Sequence, residues 1–228
     1  MTGNAASTAD RYVDAEQSGM GYSPILSMNI SPVENLNIGL KYEFKTKLNL
    51  NTTVFDGNGG GVFTDGAETV ADMPAMLAAG VEYRIIEKFM VTGSLNYYFD
   101  KNNDYDGSAS ENITMIDKNF TEYALGVELG LTDWFRLSAG YSGTMTGVNS
   151  AYQNDQRYSL NTGTFGGGIG LRFTPMIDLN IGAMFTTYKE GDKSFTYMLG
   201  TTGIPVKETY TKSNMLIGVG LDVYFGKK

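Results

Sequence analysis

Residues 121–131, TEYALGVELGL, set Tyr123, Leu125, Val127, Leu129 and Leu131 on every second position. After Thr132-Asp133-Trp134 the rule resumes with Phe135, Leu137, Ala139 and Tyr141. A period of two belongs to a β-strand, whose side chains point alternately to opposite faces of a sheet. The positions between hold Glu122, Ala124, Gly126, Glu128 and Gly130, then Arg136, Ser138, Gly140 and Ser142. One face is unbroken hydrocarbon, and the other alternates glycine with charge.

The division recurs along the chain. Leu36, Ile38, Leu40, Tyr42 and Phe44 oppose Asn37, Gly39, Lys41 and Glu43, and Val81, Tyr83 and Ile85 oppose Gly80, Glu82 and Arg84. Phe165, Ile169, Leu171 and Phe173 oppose Gly166, Gly168, Gly170 and Arg172, while Met215 to Phe225 oppose Gly218, Gly220, Asp222 and Tyr224. This pattern predicts nine strands, over 21–31, 36–53, 73–86, 88–100, 120–132, 135–146, 158–173, 177–190 and 206–225. The first is the weakest, because Pro24 removes a ladder donor. Residues 11–15, RYVDA, are a feeble further strand candidate. Residues 1–20 are expected to be an N-terminal loop or remnant, and 21–228 the β-domain.

Short turns at 31–35, 86–87, 132–134 and 174–176 alternate with long polar connections that begin at Phe55, Lys101, Gly147 and Glu190. Short turns on one side and long loops on the other are the habit of outer-membrane barrels, whose short side is periplasmic. Aromatic residues fall into two groups. Phe44, Phe89, Trp134, Phe135, Phe173 and Phe225 lie at or near strand ends or turns, and Tyr97, Phe99, Tyr123, Tyr141 and Phe185 lie toward the long-loop ends. Two girdles suit the two headgroup levels of a bilayer. The fold class expected is therefore all-β, a transmembrane antiparallel up-and-down β-barrel of about nine strands in a bacterial outer membrane. A soluble barrel or sandwich is the alternative, and it would have to hold every one of these aromatics inside.

Composition agrees. Glycine (29 residues) and tyrosine (15) are high and charged residues are 18%, which favours strands and turns over helices. No apolar run approaches the length of about 20 residues that a spanning helix needs, but a spanning strand needs only about 9 to 11. The opening MTGNAASTADRYV lacks a signal-peptide pattern, which suits a mature or truncated form. Parity points the same way: nine strands whose first and last run in one direction cannot close antiparallel, so either residues 1–20 add a strand or the barrel is larger.

Several functions are disfavoured. A formal charge of −8 with no basic stripe argues against nucleic acid. With no histidine and no cysteine, the chain lacks the usual proton-transfer residue, a Ser-His-Asp arrangement and thiolate chemistry, so no enzyme activity and no cofactor are expected. The glycine runs Gly57–Gly61 and Gly163–Gly170 open no helix and precede no Gly-Lys-Ser/Thr, so they are not phosphate cradles. The segment Asp100–Gly107, DKNNDYDG, alternates acids and amides like a calcium loop, but EF-hand spacing puts Ile113 where the bidentate Glu belongs. A plain polar loop is the simpler reading, and an ion there stays open. The inward charges Lys41, Glu43, Lys45, Glu82, Arg84, Glu128, Arg136, Arg172 and Asp222 are candidates to line the lumen, as paired structural networks more than as a permeation path.

The stretch DMPAMLAAGVEYRIIEKFMVTGSLNYYFD, the stretch TEYALGVELGLTDWFRLSAGY and the closing MLIGVGLDVYFGKK resemble the C-terminal part of FadL/TodX outer-membrane transporters. The cues are Met73-Pro74-Ala75 opening a strand, short aromatic-flanked turns, and a last strand ending near Tyr224-Phe225. The resemblance implies the last nine strands of a fourteen-stranded barrel, with an N-terminal plug and five earlier strands missing. It also implies passive uptake of hydrophobic small molecules such as long-chain fatty acids, with outer-membrane lipid as the surrounding partner. No gating residue transfers, because plug and lateral opening belong to the missing part. A small structural or adhesive barrel with a plugged lumen is the alternative.

Overall fold

The structure is a computed structural model that describes residues 12–56, 63–101, 103, 115–155 and 158–225. Its body is one antiparallel sheet of nine strands. In chain order these are β2 (Ile25–Val33), β3 (Leu36–Glu43), β6 (Met76–Ile86), β7 (Phe89–Tyr98), β8 (Thr121–Gly130), β9 (Phe135–Met145), β10 (Thr162–Thr174), β11 (Ile177–Tyr188) and β14 (Ser213–Val223). Each pairs with its predecessor, so the nine predicted strands form an up-and-down meander from β2 to β14. Their lengths, 8 to 13 residues, bracket what a tilted strand needs to cross a bilayer.

Register keeps the two chemistries apart. One row across the sheet runs through Ile30, Ile38, Val81, Leu125, Phe165 and Met215. The next polar row runs through Asn37, Glu82, Thr92, Gly126, Gly140 and Gly166. A slip of one residue anywhere would exchange the faces. The apolar face is bare: Leu125 is 66% exposed, Phe165 68% and Val219 69%. Among the described residues the buried apolar side chains are only Ile116, Leu160 and Tyr210, all in the long connections. A water-soluble sheet of this size would bury such a face. Here the sheet has no apolar core on either side.

The sheet does not close. Among the described residues β2 and β14 each have a hydrogen-bonded neighbour on one side only, and every residue of both strands is exposed. Because β2 and β14 are the first and last of nine strands that alternate strictly in direction, both edges run the same way. The parity expected from the sequence is thus a property of the fold.

The connections correct three expectations. The predicted strand 36–53 is two elements: β3 ends at Glu43, and the chain leaves the sheet through Thr46, bridged to Met73, to form β4 (Asn49–Asp56). The feeble candidate 11–15 overlaps a strand only at Asp14 and Ala15: β1 (Asp14–Ser18) pairs with β4 in a three-stranded sheet with β5 (Glu68–Val70) and adds nothing to the wall. The connection from Glu190 is a hairpin of β12 (Gly191–Leu199) and β13 (Thr202–Tyr210), so the predicted strand 206–225 is the end of β13 and the whole of β14. Its two-residue turn, Gly200-Thr201, places Gly200 at φ +64°, the conformation that hairpin turns take from glycine. All these additions sit at the long-loop end. The opposite end has only short turns, one of them tied by Lys88 Nζ to Asp133 Oδ1 at 2.8 Å.

The hairpin is fastened at its base. Tyr210 stacks on Tyr158 at 5.4 Å between ring centroids, and Lys193 Nζ donates to the Gln153 carbonyl at 2.6 Å. The Tyr210 hydroxyl donates to Glu208 Oε2 at 2.6 Å; this bond, burial and the Glu208 charge push its pKa up to about 12. An unfolded tyrosine ionises near 10, so the protonated phenol supports the fold fully below about pH 10 and that support is lost as pH rises toward 12. Ultraviolet titration is expected to show one tyrosine ionising near 12, and Tyr210→Phe to delete that late phase. A late phase that survives the substitution would mean that the contact does not form.

Aromatic side chains mark both ends of the apolar face. Phe44, Tyr42, Phe99 and Tyr97 join in that order edge to face at 4.8, 6.4 and 5.0 Å along the long-loop end. Phe44 therefore belongs to that girdle and not with the turns, because β3 runs toward the loops. At the turn end Trp134 packs on Phe135 at 5.6 Å, with Phe173 and Phe225 exposed beside them.

Candidate functional site: the inner trough

The sheet curls around its polar face and encloses a trough of about 770 Å³, lined among others by Thr92, Glu128, Arg136, Ser138, Met184 and Leu216. Small residues make this space. Gly126, Gly140 and Gly166 stand side by side in one row, and Gly168, Gly182 and Gly218 in the next. At Gly170 a side chain would strike the guanidinium of Arg136, whose Nε lies 3.0 Å from where a Cβ would stand. Gly218 and Gly220, by contrast, open onto space.

Of the predicted inner charges, Glu128 and Arg136 line the trough; Lys41, Glu43, Glu82, Arg84, Arg172 and Asp222 share the polar face by register, and Lys45 does not. Lys41 and Glu43 meet each other at 3.3 Å on β3, and Glu82 lies 3.9 Å from Arg84 on β6. At the turn end the charges form a ladder across strands. Glu128 lies 3.9 Å from Arg136, Arg136 reaches Asp178 at 3.4 Å, and Arg172 grips Asp178 with Nε at 3.0 Å and Nη2 at 3.2 Å. Asp222 sits opposite Asp178 in the register, a like-charge pairing that alone would repel. Asn180 relieves it by donating to Asp222 at 2.7 Å. These pairs run along the wall and leave the trough open. Lys45 lies beyond β3, where its Nζ meets Asp72 Oδ2 at 2.8 Å in the loop cluster.

Two parts of the site escaped the sequence reading. Asp178, 1% exposed, joins Arg136 and Arg172 and is the centre of the ladder. Its position two residues before Asn180, on the same face, was the signal; its closeness to the turn hid it. Met90, Met184 and Leu216 put apolar surface inside the trough. They sit at inward positions of β7, β11 and β14, which alternation alone assigns to the polar face. Of the segments considered for phosphate or calcium, Gly57–Gly61 and most of Asp100–Gly107 lie outside the described residues. Gly163–Gly170 is strand β10 and opens no helix. Among the described residues no three acidic side chains gather into a metal cluster.

A meander of this span, greasy outside and polar within, is the wall of a transmembrane β-barrel. The solved structures it matches are of that kind. It superposes on a FadL homologue from Pseudomonas aeruginosa with a TM-score of 0.60 at 17% identity, covering 87% of this chain and 51% of that one. It also superposes on the toluene transporter TodX from P. putida with a TM-score of 0.51 at 17% identity, covering 97% and 52%. A mutant form of TodX, described as a monoaromatic hydrocarbon channel, gives 0.52 at 16% identity, covering 90% and 50%. The likeness establishes the fold, and the chain spans about half the length of each structure. No protein-family model and no curated protein matches the sequence.

Proposed function

We propose that the chain is part of the wall of a bacterial outer-membrane channel for passive uptake of hydrophobic small molecules, long-chain fatty acids among them. The observation that carries the reading is the uncovered apolar face wrapped around an open, glycine-floored trough. The names of its structural neighbours, a FadL homologue and a toluene transporter, support it. The face meets lipid, the short turns face the periplasm, and the long connections with the β12–β13 hairpin face outward. Met90, Met184 and Leu216 offer greasy contact to a passing solute, while the inner charges satisfy one another and hold the wall. Nothing in this transport calls for a nucleotide, a redox group or a catalytic side chain.

An open sheet cannot rest in hydrocarbon. Each unpaired backbone group there costs several kcal/mol, and the two edges expose about ten such groups each, from alternate residues of strands 9 and 11 residues long. Further strands therefore complete the wall, five of them together with a plug if the barrel has fourteen. The alternative of a small closed structural or adhesive barrel needs an even number of strands, and this sheet has nine.

The test is uptake of a labelled alkylbenzene and of a labelled long-chain fatty acid by cells with the protein folded in their outer membrane. Uptake above that of cells without it is expected. Gly218→Leu and Gly220→Leu, at positions where an added Cβ meets no atom within 4 Å, should narrow the trough and lower the flux several-fold. Equal uptake with and without the folded protein would overturn the reading.

A further inference from the structure

The cations named so far on the inner wall each have a carboxylate within 3.9 Å. Lys41 has Glu43, Arg84 has Glu82, Arg136 has Glu128 and Asp178, and Arg172 has Asp178. Lys212, in the link between β13 and β14, breaks this rule. Its Nζ stands 5.3 Å from the centroid of the Tyr188 ring, and among the described residues no carboxylate pairs with it. A ring face attracts and orients an ammonium without neutralising it. A full positive charge is left for an anion.

Register places this charge at the loop end of the trough. Thr162 faces Tyr188 and Thr187 faces Ser213, so Tyr188 and Lys212 are the next opposed pair, on the inner face. Two residues toward the turns, Thr186 faces Asn214 and bonds hydroxyl to hydroxyl with the trough-lining Thr164 at 2.8 Å. Two residues further, Met184 faces Leu216, and then Gly182 faces Gly218; all four line the trough. Lys212 and Leu216 are about 13 Å apart along the chain, at roughly 3.3 Å per residue. From the loop end inward the strip made by β11 and β14 is therefore cationic, then hydroxyl and amide, then apolar, then bare backbone. The carboxylate that shares the Tyr188 row is Glu122, since Glu122 faces Thr144 and Thr144 faces Thr162. Three strand spacings, about 14 Å, exceed the screening length of about 8 to 10 Å at ordinary salt, and Asn96 and Tyr98 already donate to Glu122. An anion at Lys212 is little repelled by it.

We infer that Lys212, held over Tyr188, is the residue by which the trough favours solutes with a carboxylate head over neutral solutes of equal apolar length. The inference rests on the uptake reading and adds to it the chemistry of the solute's polar end. A carboxylate at Lys212 gains an ion pair at the loop-end mouth, while the chain behind it lies along Met184 and Leu216 and over the glycine floor. A neutral hydrocarbon uses the same floor and gains nothing from the lysine.

The test follows uptake of a labelled long-chain fatty acid and of the labelled alcohol with the same chain, each over a range of concentrations, by cells with the protein folded in their outer membrane. Lys212→Met keeps an unbranched apolar stem and removes the charge. It should raise the half-saturation concentration for the acid about twofold to fivefold, the scale of one exposed ion pair, and leave that for the alcohol unchanged. Lys212→Arg should restore the preference, because it restores the charge. Equal changes for acid and alcohol in Lys212→Met would mean a structural role and overturn the inference, as would no change for either, while the uptake reading stands. Failure of both solutes to enter with the unsubstituted protein overturns the uptake reading and this inference with it.

Discussion

Asp178→Ala should lower the stability of the folded chain by about 3 kcal/mol, the largest effect expected of any single inner-face substitution. Removing one member of a buried ion pair costs roughly 3 to 5 kcal/mol, because the charge left behind has no partner. Here Arg172 loses its carboxylate outright, and Arg136 keeps only Glu128, 3.9 Å away. Arg136 loses its 3.4 Å contact and Arg172 loses two bonds at 3.0 and 3.2 Å, while the carboxylate that held them is 1% exposed. Both guanidiniums are partly exposed, 35% and 43%, so water softens the loss and the lower end of the range applies. Urea unfolding in micelles, followed by the fluorescence of Trp134, the single tryptophan, would measure it. Asp178→Asn should cost less, since it keeps the shape and one acceptor. A loss below about 1 kcal/mol in the alanine variant would show that the ladder contributes nothing.

Leu125→Arg should cost about 2 to 4 kcal/mol in a bilayer, the penalty of a cation on the lipid face of a barrel near the midplane. Leu125 lies at the middle of β8, 66% exposed on the apolar face. Ser138→Arg is the matched control. It places the same cation on the inner face, directly opposite Glu128 in the register, and should change stability by less than about 1 kcal/mol. The comparison is made by unfolding the wall, together with the strands that close it, from lipid vesicles. Equal losses at the two positions would mean that lipid does not touch the apolar face, and the membrane reading would fail with it.

The wall was legible in the sequence because a strand with lipid on one side and a lumen on the other writes a strict alternation. Leu125, Val127 and Leu129 against Gly126 and Glu128 leave little choice of register. The rim was less legible. The hairpin β12–β13 also alternates, with Phe195, Tyr197 and Leu199 on one side, yet a turn and flanks rich in glycine and threonine give it the composition of a polar loop. The split of 36–53 was hidden because Leu48, Leu50 and Thr52 continue the period after the chain has left the sheet. Of the site, the charged positions of the inner wall could be read from spacing. Asp178 keeps the same spacing, two residues before Asn180, but only the pairing of β10 with β11 reveals that it meets Arg172.

The like-running margins of the sheet restrict what can stand beside it. Two identical copies inserted the same way up would present each other with margins of one polarity, and their backbones could meet only in parallel. Self-association into a ring is closed off by arithmetic alone. Any complement that closes the wall with antiparallel pairing is odd in its number of crossings, and its outermost crossings travel from the short-turn end to the long-loop end.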